Sequence, residues 1–492
     1  MEARQIYDAF LKVEAEQNFF DININGINIW NNVRLYIYSL TLEKEGWGKA
    51  STMSDIMVQH KKNSPLTILK QLLDVGGIEE VIKYLPFFPE KRDLLCVLFP
   101  VRRKNGKYDE EIYVDKYYSQ IKNHTYYALE WATGIGTRSS NPQTQNLRYT
   151  CDDVILSWFG KREHIDYKNI YRQFSTLILK KLESELGIRF TDEERKKIYR
   201  ELYINYYKRN AYMSYYRFIL KQIRPKVILY YNIAEYYTQF LVEAARMLNI
   251  KTAEIQHGIF AQEAALPYIY MPEQRIPVVS DYMLIYGEYF NELLNPKRLK
   301  TICIGRPDIF QKNNQYKKKH RNQDEKKKLL FVSSCDGVVE YLYQIWKEIN
   351  FEKYDVILKL HPSEQLNWRK TYPFLSELEN IKIVSKNDKD IYYWISRADY
   401  MIGNYSTAFY EALPNSIVKI FLDDGTSLIQ YLVEAGYCLC VKRGKTVMDV
   451  IEQVEKKEVL LNKFENDDYI MYSKPIDRMD NVLEEIITSE KG

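Results

Sequence analysis

The sequence predicts an α/β protein built on parallel sheets, and three observations predict it. From about Lys326 onward, short apolar runs of strand length alternate with amphipathic stretches of helical length. Those runs end in small, polar or imidazole-bearing residues of the kind that hold ligands beyond the carboxyl ends of parallel strands. The same alternation occurs earlier in the chain, and a polar, cation-rich run separates the two patterned parts. Two Rossmann-like halves are therefore expected to face each other across a hinge, with an extra helical region in front of them.

The elements of the second half follow in order. Leu329–Val332 is an apolar strand that ends at Ser333-Ser334, and Val338 to Ile349 reads as a helix. Tyr354–Leu360 is a buried strand that runs into the turn His361-Pro362-Ser363-Glu364. Ile381–Val384 is a strand, Ile391 to Ala398 a helix, Tyr400–Gly403 a strand and Thr407 to Leu413 a helix. Val418–Leu422 closes the series.

The first half holds a second such unit. Lys226–Tyr231 is a strand, Ala234 to Leu248 an amphipathic helix, Thr252–Ile255 a strand ending at Gln256-His257-Gly258, and Tyr282–Tyr286 a strand ending at Gly287. Asp93–Phe99 is expected in the same sheet, followed by inserted helices between Tyr167 and Lys221, the second opening on the capping box Thr191-Asp192-Glu193-Glu194. Phe20–Trp30 (FDININGINIW) alternates and predicts a strand or hairpin in an otherwise helical start. The expected organisation is a helical region at 1–90, a Rossmann-like acceptor-side domain at 91–310, a linker at 311–328 and a Rossmann-like nucleotide-donor domain at 329–492.

Composition bounds the function. Lys and Arg number 70 against 66 Asp and Glu, a net +4 that is too small for nucleic-acid binding by bulk electrostatics. Six scattered cysteines suit a reduced setting, and Cys438 and Cys440 have the spacing of opposite faces of a strand rather than of a zinc knuckle. The start of the chain lacks a signal-peptide pattern, and no apolar run reaches the roughly 20 residues of a membrane span. A cytoplasmic protein is expected, peripheral at most to the inner face of the plasma membrane. The 43 tyrosines suit half-buried surfaces and sugar-stacking sites, or simply a biased genome.

Ligand-holding residues are sought after the strands. His361 is fixed at the sheet rim by Pro362, where its ring can donate to a phosphate oxygen. Ser406 and Thr407 bring hydroxyls and backbone N–H groups to a helix start, a phosphate cradle in outline, although any Ser there also caps the helix. Ser333 and Ser334 stand at the end of a neighbouring strand. Glu411, one turn into its helix, is a candidate for ribose hydroxyls or an ordinary solvent-facing residue. His257, flanked by Gln256 and Gly258, is a candidate general base or a packed strand-end histidine. Arg306 is a candidate second phosphate contact. Asp388-Lys389-Asp390 matches a metal-holding D-x-D but reads better as helix-start acids. The helix Ile198 to Leu220 suits packing in the first domain better than an acidic membrane face. The chain has no Gly-x-Gly-x-x-Gly, Walker loop, His-Glu-x-x-His or Gly-x-Ser-x-Gly.

The combination of Gln256-His257-Gly258, His361-Pro362 and Ser406-Thr407 resembles GT-B glycosyltransferases of bacterial capsular and surface polysaccharide biosynthesis. It is similar to capsule-type Kdo transferases, teichoic-acid glycerophosphotransferases and sialyltransferases with the His-Pro motif, over about Val227 to Leu422. The resemblance implies that His361, Ser406 and Thr407 bind the phosphate of a CMP- or CDP-linked donor and that His257 is the base or an acceptor contact. The chain departs from the pattern in lacking the Trp-His-Gly-Thr context and the Asp-Asp-Gly-Ser segment. The implied protein is a metal-independent transferase with no cofactor beyond its nucleotide-sugar donor and with a glycan or lipid-linked glycan acceptor. A CDP-polyol phosphotransferase, a sugar-nucleotide epimerase and a non-catalytic glycan-assembly protein are the alternatives.

Overall fold

In the computed structural model the described residues are 3–45, 63–105, 107–137, 139, 141–160, 165–259, 266–269, 279–294, 299–316, 325–333, 337–362, 364–385, 389–404, 406–422, 427–442, 444–464, 468–472 and 479–490. They fall into two compact units. The first takes those within 1–257, 265–304 and 475–492, and the second those within 258–264 and 305–474.

The first unit is built on seven parallel strands. In chain order they are β1 (Leu94–Leu98), then, after the antiparallel hairpin β2 (Arg102–Asn105) and β3 (Tyr108–Glu111), β4 (Tyr126–Trp131), β5 (Leu147–Thr150), β6 (Val227–Tyr230), β7 (Lys251–Ile255), β8 (Tyr282–Ile285) and β9 (Lys300–Cys303). Their spatial order is β5-β4-β1-β6-β7-β8-β9. β1, β6 and β8 are buried along their whole length, as strands covered on both faces must be.

The second unit has six parallel strands, β10 (Lys327–Val332), β11 (Tyr354–Lys359), β12 (Ile381–Val384), β13 (Tyr400–Gly403), β14 (Val418–Leu422) and β15 (Leu439–Val441), ordered β12-β11-β10-β13-β14-β15. Counted within its own unit, each sheet therefore begins 3-2-1-4-5-6, the dinucleotide-fold order, in which a crevice opens where the winding reverses. That point lies between β1 and β6 in the first unit and between β10 and β13 in the second. The expectation of an α/β chain with two Rossmann-like sheets is met.

The amino-terminal helices Ala3–Glu16 and Trp30–Lys44 pack with Tyr167–Phe174, Lys180–Leu186 and the 32-residue helix Asp192–Ile223 around one apolar core. Within it the buried Arg34 pairs with Glu14, donates from Nη1 to Leu266 O at 2.7 Å and from Nη2 to Ile269 O at 2.8 Å, while Trp30 Nε1 donates to Glu14 at 2.8 Å. These bonds satisfy a charge pair that would otherwise be costly to bury. The long helix opens with the expected capping box, Thr191 accepting from Glu194 N–H. Tyr206, Tyr212, Tyr215 and Tyr216 are buried along it, which is the packing role expected of its tyrosines.

Several elements differ from the sequence reading. Phe20–Trp30 forms no strands: Phe19–Asp21 is a 3₁₀ turn, Asn25 and Gly26 take positive φ, and a single Ile24–Ile27 bridge closes the turn before a helix begins at Trp30. A tight Asn-Gly turn is present, but the flanking segments are drawn into helices by the core. The run 311–328 is not a linker throughout. Its start belongs to the helix Pro307–Gln315, anchored by the buried Ile309, and Lys327 and Lys328 open β10. Residues 317–324 lie outside the described residues. The second sheet does not close at Val418–Leu422 but adds β15, where Cys440 sits, with buried Cys438 just before it. The helix Met479–Thr488, expected in the donor domain, belongs to the first unit, where Lys251 Nζ donates to Ile486 O at 2.7 Å.

Candidate functional site

In the second unit the register aligns Val332 with Lys359 on one side and with Gly403 on the other. Ser333 therefore leaves the sheet between the segments that carry His361 and Asn404, each about 5 Å away across a strand spacing. Gly403 is required there, because a Cβ would meet Val332 O at 2.9 Å and the Phe409 ring at 3.1 Å. The predicted His361, Pro362, Ser333, Ser406 and Thr407 are thus gathered at adjacent strand ends flanking the reversal point. Ser334, Ser363, Tyr405 and Asp388 lie outside the described residues.

One residue that sequence reasoning left without a role organises this edge. Glu364 is buried; its Oε1 accepts from Ser333 Oγ at 2.9 Å and from Tyr372 Oη at 2.6 Å, and its Oε2 accepts from the His361 backbone N–H at 2.8 Å. The carboxylate ties the ends of β10 and β11 to the following turn. The His361 ring itself is exposed. Partial desolvation lowers its pKa, opposed by Glu364 and aided by Lys359, so near neutral pH it is an uncharged donor and acceptor rather than an imidazolium. The signal available in the sequence was the fixed spacing His361-Pro362-Ser363-Glu364.

Ser406 caps the helix Thr407–Glu411 by accepting from Ala408 N–H at 3.3 Å, while Thr407 is exposed. That helix is five residues long, so its end offers N–H groups and hydroxyls but little macrodipole. Glu411 is engaged: its Oε1 lies 3.4 Å from Arg306 Nη2. Arg306 in turn is buried and holds Asp308 through two 3.0 Å bonds, so both residues brace the protein at this edge. Asp390 accepts from Tyr393 N–H at 3.0 Å, a helix cap in keeping with its reading as a helix-start acid.

In the first unit His257 follows β7. Gln256 pins that end to β8, donating its N–H to Leu284 O at 2.9 Å and accepting from Tyr286 N–H at 2.8 Å. The half-buried His257 ring lies 5.6 Å from the Tyr113 ring and 5.4 Å from the Tyr231 ring. Burial lowers its pKa to about 4, so it is neutral at physiological pH.

Tyr231 leads to a second unforeseen residue. Its hydroxyl donates at 2.7 Å to Glu111 Oε1, and Glu111 Oε2 accepts from Tyr113 N–H at 2.9 Å and Val114 N–H at 2.8 Å. Glu111 is fully buried, and burial raises its pKa to about 7 despite those bonds. β1 leads into the hairpin that carries Glu111, and Tyr231 directly follows β6, so their bond spans the reversal point of the first sheet. The sequence signal was the acidic run Asp109-Glu110-Glu111 shortly after an apolar strand.

Neither a family model nor a curated protein sequence matches the chain. Among solved structures it is similar to UDP-GlcNAc 2-epimerase from Neisseria meningitidis bound to UDP-GlcNAc, at 13% identity and a TM-score of 0.42, covering 80% of this chain and 99% of that one. It is also similar to MurG from Acinetobacter baumannii, at 11% identity and a TM-score of 0.38 over 80% of this chain and 99% of that one. The wall teichoic acid polymerase TagF matches at 11% identity and a TM-score of 0.38, covering 93% of this chain and 96% of that one.

Proposed function

We propose that this chain is a GT-B glycosyltransferase that moves a sugar from a nucleotide-activated donor, CMP-linked by preference, to a bacterial capsular or other surface glycan. The observation that supports it most is the second unit's reversal point, where buried Glu364 fixes the strand end that carries the exposed His361 and the adjacent strand leads to the exposed Thr407. In this reading Ser334, His361, Ser406 and Thr407 hold the donor phosphates through neutral donors and backbone N–H groups, with no metal ion required, while buried Ser333, its O–H donated to Glu364 and its N–H to Lys359 O, shapes the edge beneath them. Pro362 fixes the His361 turn, and Glu411 acts by keeping Arg306 in place. His257, neutral and walled by Tyr113 and Tyr231, takes the proton from the acceptor hydroxyl as it attacks the anomeric carbon. The acceptor is a growing or lipid-linked glycan, and the expected workplace is the inner face of the plasma membrane. Among the described residues no helix is long and apolar enough to cross a membrane.

The test is a thermal-shift panel with CMP, CDP, UDP and GDP followed by transfer assays with the matching sugar nucleotides. The expected outcome is stabilisation by one pyrimidine nucleotide, weakened about tenfold in His361→Ala, the loss of roughly one hydrogen bond. His257→Ala is expected to lower kcat by about 100-fold or more with nucleotide affinity retained. Unchanged transfer in both variants would sink the assignment. Product formed from the donor alone would replace transfer with epimerisation.

A further inference from the structure

We propose that the second unit carries another binding site, for a phosphate ester on a hydroxylated body of sugar or polyol size, at the end of its sheet opposite the donor loops. A hollow of about 540 Å³ lies there, lined by Lys328, Asp355, Ile357, Lys382, Trp394 and Arg397 among others. The register pairs Lys328 with Asp355 and Ile357 with Lys382, which places these four on one face of β10, β11 and β12. The opposite face carries Leu329, Phe331, Val356 and Leu358 into the apolar core. Tyr393, Trp394 and Arg397, from the helix Ile391–Ile395 and the turn after it, complete the lining. Lys328 precedes Ser333 by five residues along β10, so the hollow is about 16 Å from the donor edge.

Its chemistry is cationic, and two of its cations are held in place. The Lys382 ammonium stands 4.9 Å from the Trp394 ring centre. The Arg397 guanidinium stacks 3.8 Å from the Tyr393 ring centre, with Nη1 donating to Ser396 Oγ at 3.1 Å and to Tyr393 O at 3.4 Å. Lys328, Lys382 and Arg397 make no ion pair among the described residues, and neither does Asp355. Three cations against the single carboxylate of Asp355 leave the hollow with a net positive charge, which a bound dianion offsets. The hollow far exceeds the roughly 30 Å³ share of one water, so it accommodates more than a bare ion. Ile357 gives the ligand's body an apolar floor, while Asn380 and Asp355 offer partners for hydroxyls. An Arg fork beside two lysines is the donor set that phosphate esters select.

The site rests on the second unit alone and stands or falls separately from the transferase reading. Isothermal titration of the full chain with sn-glycerol 3-phosphate and glucose 6-phosphate tests it, with inorganic phosphate and glucose as controls and CDP as a donor-side reference. At least one ester is expected to bind more tightly than inorganic phosphate, and Lys382→Glu, a change at an exposed residue, is expected to weaken it about tenfold with CDP binding unchanged. Asp355→Asn is expected to tighten binding about threefold, a gain that misfolding cannot produce. Ester binding equal to that of inorganic phosphate, insensitive to Lys382→Glu, or abolished by His361→Ala instead would overturn the proposal. So would binding confined to phosphatidylglycerol vesicles with neither soluble ester bound.

Discussion

The two sheets share a strand order, and the points where their winding reverses have been put to opposite uses. In the first unit that point is filled by protein. The β2–β3 hairpin follows β1 and brings in Glu111, which Tyr231 and two backbone N–H groups hold at the end of β6. In the second unit the corresponding edge is tightened from beneath by Glu364 but left with exposed His361 and Thr407. A filled crevice excludes a nucleotide, and an edge that keeps accessible donors invites one. In the proposed reading this asymmetry is why donor binding is sought in the second unit, with His257, at the next strand over in the first, as the proton acceptor.

The largest expected effect comes from removing the brace of the donor edge. Glu364→Ala leaves Ser333 Oγ, Tyr372 Oη and the His361 N–H without their acceptor, which should cost about 3 to 4 kcal/mol of the second unit's stability. Urea denaturation reads that cost, and nucleotide affinity should fall with it. If both are unchanged, the edge is held by something other than this carboxylate.

Glu111→Gln probes the filled crevice, with an effect that depends on pH. The folded pKa is raised from an ordinary 4.5 to about 7, so the folded state holds its proton more tightly than the unfolded chain. The stabilisation is fully present below pH 4.5 and is lost as the pH rises through 7, a change of about 3 kcal/mol. The Gln variant, neutral throughout, should match the wild type near pH 4.5 and exceed it above pH 7. His257, with its lowered pKa, contributes the opposite slope between about 4 and 6.5, but that term is common to both proteins and cancels in their difference. A difference that does not vary with pH would show Glu111 to be ionised across the range.

How much of this was legible in the sequence follows from what each residue faces. Tyr400–Gly403 and Val418–Leu422 were read to the residue because apolar runs bounded by polar turns have one solution in a sheet covered on both faces, and Ile381–Val384 because its apolar residues alternate with Lys382. β4 was not read. Its Glu130 is buried against Arg102, a long-range pairing that no local pattern announces. β15 has three residues, too few to show a period. The gathering of Ser333, His361 and Ser406-Thr407 was foreseen from strand ends alone, whereas Glu364 and Glu111 were not. Both are buried acids whose partners are backbone N–H groups and tyrosines brought in by the fold, and a carboxylate in a polar turn looks solvated until those partners are known.

The smallest effect separates two roles that the sequence left superposed at Ser406-Thr407. Ser406 already spends its oxygen on Ala408 N–H, while Thr407 faces solvent. Ser406→Ala should therefore cost about 1 kcal/mol of stability as a lost cap. Thr407→Ala should change stability by less than about 0.5 kcal/mol and, if its hydroxyl meets a donor phosphate, weaken nucleotide binding several-fold. Paired thermal melts and nucleotide titrations on the two variants measure both quantities. Were Thr407→Ala silent in both while Ser406→Ala affected binding in proportion to stability, the hydroxyl pair would be a helix cap alone, and the proposed donor edge would reduce to the His361 turn.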